Sequence, residues 1–317
     1  MKALLILVLL VPISVWSSPQ FDRERIQVDI EDVLQTLKPV RIGTVYDAPS
    51  TKSLDPDDFG IAVTLIDGTT FTGGTVDVEM PMMSISKIFA LALAIEQRGL
   101  DFVVRQVGQD ASGRPFDDLT TYRFSALVNL GAIAVHSYID DSSSLFDLYS
   151  RLAGSPVELR EDWAAVPMPV TKATAWIMKG QGRLEGDPIE ATEDYLAACV
   201  AGVTARQLAH MGAVLANDGV DLETDNRVLG SETVQQVLST ATIAGLYEDS
   251  GAWFSATGLP AKSGVSGAVL AIAPGWGAIA AYSPRLDAAG NSVRGALAIK
   301  ALSRRWNLHT MERLLDD

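Results

Sequence analysis

"PMMSISKIFALALAIEQRG", residues 81–99, decides how the chain is read. Ser84 and Lys87 stand three positions apart, and Lys87 directly precedes eight residues, Ile88 to Ile95, with no polar side-chain atom. A run apolar on every side specifies a helix buried all round. The pattern predicts a helix over 84–98, ended by Gly99. Residues i and i+3 share a helix face, about 5–6 Å apart at Cβ, so Lys87 can reach Ser84. The partial positive charge of a helix start and the apolar flank both disfavour an ammonium there, which pushes Lys87 toward the neutral amine. A serine hydroxyl is a poor nucleophile until a base takes its proton, and a neutral amine is such a base. Backbone N–H groups of the same turn can hold an oxyanion. The competing reading is a serine cap beside a lysine that snorkels to solvent.

S-x-x-K by itself is a weak signal. A second motif lies far downstream in "GLPAKSGVSGAVLAIAPG", residues 258–275, where Lys262-Ser263-Gly264 precedes a glycine-flanked apolar strand. Penicillin-recognising serine enzymes pair S-x-x-K with K-[ST]-G on a strand lining the same cleft. One motif opening a buried helix and one opening a strand point together to acyl transfer through serine.

The rest of the chain sets bounds on this reading. Its 317 residues are 48% hydrophobic, enough for a large core. A formal charge of −14 repels phosphate backbones, so nucleic acid is not an expected partner. Cys199 is the only cysteine, which excludes an internal disulfide, and its setting in "YLAACVAG" is that of a packed, inert thiol. His136, His210 and His309 have no metal-binding spacing and read as surface or hydrogen-bonded histidines. No metal and no organic cofactor are expected. At the N-terminus, Lys2 is followed by an apolar stretch from Ala3 to about Ile13 and by Ser17 and Ser18. That is the plan of a secretory signal peptide over residues 1–18, cleaved after Ser17, and it predicts a periplasmic or secreted protein. The run is too short, and too early interrupted by Pro12, for a comfortable membrane span.

Along the chain, 29–38 shows a short helical period, and 60–76 alternates as a hairpin around Asp67-Gly68. Helical faces run through 187–200 and 204–219, the latter with Thr204 as N-cap and Gly219 as stop. Two apolar runs around Pro-Gly-Trp-Gly make a second hairpin over 267–284, and 291–306 is a closing helix. The expected architecture is therefore α/β. An antiparallel sheet flanked by helices comes from about 29–99 and 250–310, with a mostly helical subdomain from about 100–249.

These blocks resemble the serine-dependent glutaminases, whose fold is similar to that of β-lactamases. The resemblance covers roughly residues 30–305. It rests on "SISKIFALALA", "VGQDASGRPFDD" (107–118), "VNLGAIA" (128–134), "TARQLAHMGAVLANDG", "GLYEDSGAWF" (245–254), "GLPAKSGVSG" and "SPRLDAAGNSVRG" (283–295). It implies hydrolysis of L-glutamine to L-glutamate and ammonia, and an assembly of identical subunits. It implies Ser84 as nucleophile with Lys87 beside it, and Tyr247 as the proton-transfer partner. Asn129 and Tyr195 would contact substrate, Lys262 would edge the pocket, and the N–H groups of Ser84 and Val265 would form the oxyanion hole.

The sequence also departs from the family. Met83 stands where a glutamine usually precedes the nucleophile. The glutamate and asparagine that help recognise the amino-acid head group fall on Ala164 and Thr171. Losing a hydrogen bond to a charged group costs about 1.5–3 kcal/mol. Glu161 and Asp162 are the nearby carboxylates that would have to substitute. Three readings stand at this level: a glutaminase, a related serine amidohydrolase acting on another amide or lactam, and a non-catalytic homologue.

Overall fold

The structure is a computed structural model describing residues 23–108, 125–163 and 169–313. The expected signal peptide, Ala164 and most of the 107–118 block lie outside the described residues.

Helix α1 (Arg23–Leu37) opens the described chain and leads to the hairpin of β1 (Gly60–Leu65) and β2 (Thr70–Gly74). A short strand β3 (Met80–Pro81) and a single 3-10 turn, Met83–Ile85, precede α2 (Ser86–Arg98). The helical middle holds α3 (Leu100–Gln106), α4 (Asn129–His136), α5 (Ser143–Ala153), α6 (Pro169–Gly180) and α7 (Pro188–Cys199). It continues through the short β4 (Gly202–Val203) to α8 (Ala205–Ala216) and α9 (Ser231–Ala244). Then come α10 (Ser250–Thr257), β5 (Ala261–Ser263), β6 (Ala268–Ala273), β7 (Gly277–Tyr282), α11 (Val293–Arg305) and α12 (Thr310–Arg313).

The main sheet has the order β2-β1-β7-β6-β5, antiparallel throughout. Both predicted hairpins form, β1–β2 and β6–β7. All six residues of β1, β6 and β7 are buried because helices cover both faces. Alternation sorts the side chains: Ile61 and Val63 join α1, α10 and α11 in one core, while Ala62, Leu270 and Ala280 join α2 and α8 in the other. On α1, Ile26, Ile30 and Val33 are buried at helical spacing, each contributing about 1.5–3 kcal/mol. Arg305 on α11 and the indole of Trp306, just past its end, bind Asp29 of α1.

Helix α8 lies within the stretch assigned to the middle subdomain, yet it packs directly on the sheet. Gly212 makes that approach possible: a Cβ there would sit 2.7 Å from Ala278 Cβ and from Leu270 Cδ1. Thr204 caps α8 as expected, accepting from Gln207 N–H at 3.1 Å. The helix ends at Ala216, three residues before the expected Gly219 stop.

Candidate active site

The predicted 84–98 helix is shorter at its start than expected. Ser84 sits in the 3-10 turn, and the α-helix begins at Ser86. The cause is Met83, whose φ of 51° lies in the left-handed region and breaks helical continuity upstream. Met82 N–H donates to the Ala201 carbonyl at 2.9 Å, and β3 pairs with β4, so the turn is pinned to the segment that follows α7.

Lys87 does not snorkel. It is 1% exposed, and its Nζ lies 3.1 Å from Ser84 Oγ and 2.7 Å from Asn129 Oδ1. Burial lowers its pKa to about 8. Asn129 opens α4, and its Oδ1 also accepts the Tyr195 hydroxyl at 2.9 Å. Serine, lysine, asparagine and tyrosine therefore form one connected chain of polar contacts beneath a half-buried surface.

Tyr247 approaches from the other side. It too has a positive φ, 58°, and such backbone strain in a non-glycine residue clusters at functional sites. Burial raises its pKa to about 12, with its contacts to Ser84 and Ser263 pulling against the rise. Lys262 is brought to the site but is fully enclosed. Its Nζ donates to the Gly245 and Ser263 carbonyls at 2.8 and 2.9 Å and lies 4.3 Å from the centre of the Tyr247 ring. Its ammonium is thus spent on carbonyls behind Tyr247, and burial pulls its pKa well down.

The "KSG" turn abuts the serine turn. A Cβ on Gly264 would meet the Met82 carbonyl oxygen at 3.0 Å and Met83 Cβ at 3.4 Å. Val265, half-buried, follows at once. Among the described residues, neither the Ser84 N–H nor the Val265 N–H has an acceptor. Two unspent donors on adjoining turns suit a developing oxyanion.

Four neighbours went unrecognised or were misjudged in the sequence. Cys199 lies beside Lys87, Tyr195 and Ser86, and burial keeps its thiol protonated by raising its pKa. His136 is not a surface residue. It is buried edge-on to Tyr195 at 5.8 Å, and its Nε2 has no partner among the described residues. Burial, aided by the Lys87 charge, drops its pKa to about 3. Tyr46, 44% exposed, is felt electrostatically by both Tyr195 and Tyr247 and so stands near the site. Ser263 faces Tyr247, although the motif containing it drew notice for its lysine. His210, by contrast, is hydrogen-bonded as expected, to the Leu152 carbonyl at 2.8 Å.

Thr171 is buried on α6. Of the two carboxylates that would have to substitute, Asp162 pairs with Arg160 at 3.1 Å, and Glu161 is exposed on the same 3-10 turn.

Comparison with known proteins places this geometry. A family model described as Glutaminase matches residues 44–311. The glutaminase of Colwellia psychrerythraea is 38% identical over 272 residues, 81% of this chain and 88% of that one. That of Mycobacterium ulcerans is 40% identical over 260 residues, 77% of this chain and 81% of that one. Among solved structures, the probable glutaminase ybaS matches with a TM-score of 0.87 at 32% identity, covering 90% of this chain and 98% of that one. The Bacillus subtilis glutaminase YbgJ matches at 0.81 and 25% identity, covering 90% and 99%. That structure holds a covalent complex with 5-oxo-L-norleucine, formed by reaction with 6-diazo-5-oxo-L-norleucine.

Proposed function

This chain belongs to the glutaminase family, and from that premise we propose that the Ser84–Lys87 pair carries its chemistry. The fold is the β-lactamase-like one of that family, and the enzyme is an amidohydrolase. It hydrolyses L-glutamine to L-glutamate and ammonia through an acyl-serine intermediate. The observation that carries the assignment of roles is the 3.1 Å contact between a buried amine and a serine hydroxyl.

Neutral Lys87 takes the Ser84 proton as Oγ attacks the side-chain amide carbon of glutamine. The N–H groups of Ser84 and Val265 hold the resulting oxyanion. Collapse breaks the C–N bond, and a proton delivered by Tyr247 or Lys87 lets ammonia leave. Tyr247 suits the acid role because its raised pKa keeps it protonated at neutral pH. Water then attacks the glutamyl ester, the same groups take its proton, and glutamate departs. Asn129 and Tyr195 contact the substrate while fixing the Lys87 amine. Lys262 acts through the Tyr247 ring and the two carbonyls it binds.

The test is ammonia release from L-glutamine, L-asparagine and Nα-blocked glutamine. Release from glutamine with kcat/KM well above the other two is expected. A preference for the blocked derivative would move the reading to another amide substrate, since Thr171 does not supply the implied head-group asparagine.

The pH dependence follows from Lys87. The active form is the neutral amine, so activity rises with pH through a midpoint near 8. At pH 7, one unit below, about a tenth of the enzyme is competent, and kcat/KM is expected to rise about fivefold from pH 7 to pH 8. A profile flat across this range would contradict the base assignment.

Gly264→Ala should lower kcat about tenfold with a small change in melting temperature. The added methyl presses on the Met82 carbonyl and shifts the turn carrying Ser84, and displacements below 1 Å are costly to an aligned reaction. Steady-state kinetics beside thermal melting checks this.

We also propose export and self-association. The Lys2 charge, the apolar stretch and Ser17-Ser18 support cleavage of residues 1–18. A mature protein beginning at Met1 in the cytoplasm would contradict it. No helix among the described residues is long and apolar enough to cross a membrane. Sedimentation of the purified chain tests the homo-oligomer.

A further inference from the structure

We propose that the groove between α1 and the outer edge of β2 is a second binding site, one that takes a short extended peptide with free termini. The groove encloses about 770 Å³. It sits at the β2 edge of the sheet, four strand spacings from β5 and the KSG turn, about 19 Å away. It is therefore separate from the site described above.

Its lining is polar and graded along its length. Arg294 forms the floor. The guanidinium is almost wholly buried, with Nε donating to Ser283 Oγ at 2.8 Å and Nη2 to the Asp58 carbonyl at 2.8 Å and the Pro56 carbonyl at 3.2 Å. Its Nη1 makes no hydrogen bond among the described residues. Lys38, at the same end of α1, has no ion-pair partner among them either. Arg41 and Asp57 line this end too, paired at 2.7 Å, so three cations stand against one carboxylate, an excess that suits a carboxylate ligand. Toward the other end stands Glu31, whose side chain accepts only from Gln27 at 2.9 Å among the described residues.

Between these ends lies the strand edge. The Thr72 carbonyl accepts the Gln27 side-chain amide at 3.1 Å, so it faces away from β1. In an antiparallel strand the N–H of a residue points the same way as its carbonyl, so the Thr72 N–H also faces the groove. A backbone donor on an open edge is the contact used when an extended peptide adds to a sheet. The dimensions agree. Glu31 to Lys38 is seven helical residues, about 10.5 Å, and three extended peptide residues span about 10 Å. The peptide carboxylate would meet Arg294 and Lys38, its amino group Glu31, and a central carbonyl the Thr72 N–H.

Calorimetry on the full chain tests this, with triglycine and N-acetyl-triglycine amide as probes. Triglycine is expected to bind, and the doubly capped form at least about tenfold more weakly. Gln35→Trp, which fills the groove from an exposed position on α1, and Lys38→Glu should each weaken triglycine about tenfold or more, with glutamine turnover unchanged as proof of folding. No heat at millimolar triglycine, equal affinity for the capped form, or unchanged binding in both variants would each overturn the proposal. So would wild-type self-association that Gln35→Trp abolishes, which would make the groove an interface between copies.

Discussion

Ser84→Ala is expected to cut glutamine turnover by a factor on the order of 10⁴ or more, with the fold intact. Among the described residues the neighbouring serines offer no substitute: Ser86 and Ser263 are wholly enclosed, at 0% exposure against 8% for Ser84, with Ser86 facing Cys199 and Ser263 facing Tyr247. The alanine removes one contact from Lys87, which keeps Asn129 Oδ1 at 2.7 Å. Substrate binding should survive, because the Ser84 N–H, the Val265 N–H and Tyr195 remain. The signature is therefore a collapse of kcat with KM or Kd for glutamine little changed, measured by single-turnover kinetics and equilibrium binding.

Lys87→Met is expected to do two opposite things. It should lower kcat by about 10²–10⁴, the usual worth of a general base. It should also make the protein more stable. In the folded state the lysine pKa is about 8, below the 10.5 of a free lysine side chain. At pH 7 both states carry the proton, and folding bears the full cost of burying the ammonium, about 3 kcal/mol from that shift. Between pH 8 and 10.5 the unfolded chain holds the proton and the folded chain does not, so wild-type stability rises with pH across that window. A methionine removes the cost. The variant should melt higher than wild type at pH 7, and the gap should close by about pH 10.5. Thermal melts across pH read this directly. A variant less stable than wild type at pH 7 would mean that Lys87 is a structural tie and not a strained base.

Much of this site was legible in the sequence because its parts are local patterns. The apolar run after Lys87 announces a buried helix, and the glycines around "KSG" announce a close turn. The two hairpins follow from alternation and from Asp-Gly and Pro-Gly signals. What was hidden depends on contacts distant in sequence or on backbone conformation. The left-handed φ of Met83 shifts Ser84 from helix to turn, and a methionine gives no hint of it. His136 seemed unremarkable until α4 placed it two turns beyond Asn129 and against Tyr195. Cys199 was read correctly as packed, but no spacing rule tells that it packs on the lysine. Lys262 was expected to edge the pocket, and only the fold shows its ammonium turned toward Gly245 and Ser263. Tyr46 lies on an irregular segment, where no periodicity points anywhere.

The pairing of Ser84 with Lys87 as the acylating centre is tested most directly by the reagent that reacts with the Bacillus subtilis enzyme. The purified chain would be treated with 6-diazo-5-oxo-L-norleucine and mapped by peptide mass spectrometry, with Ser84→Ala alongside. The account predicts a single adduct on Ser84, formed faster as pH rises through 8 and absent from the variant. A label on Cys199 or elsewhere in wild type, with Ser84 unmodified and glutaminase activity lost, would contradict it.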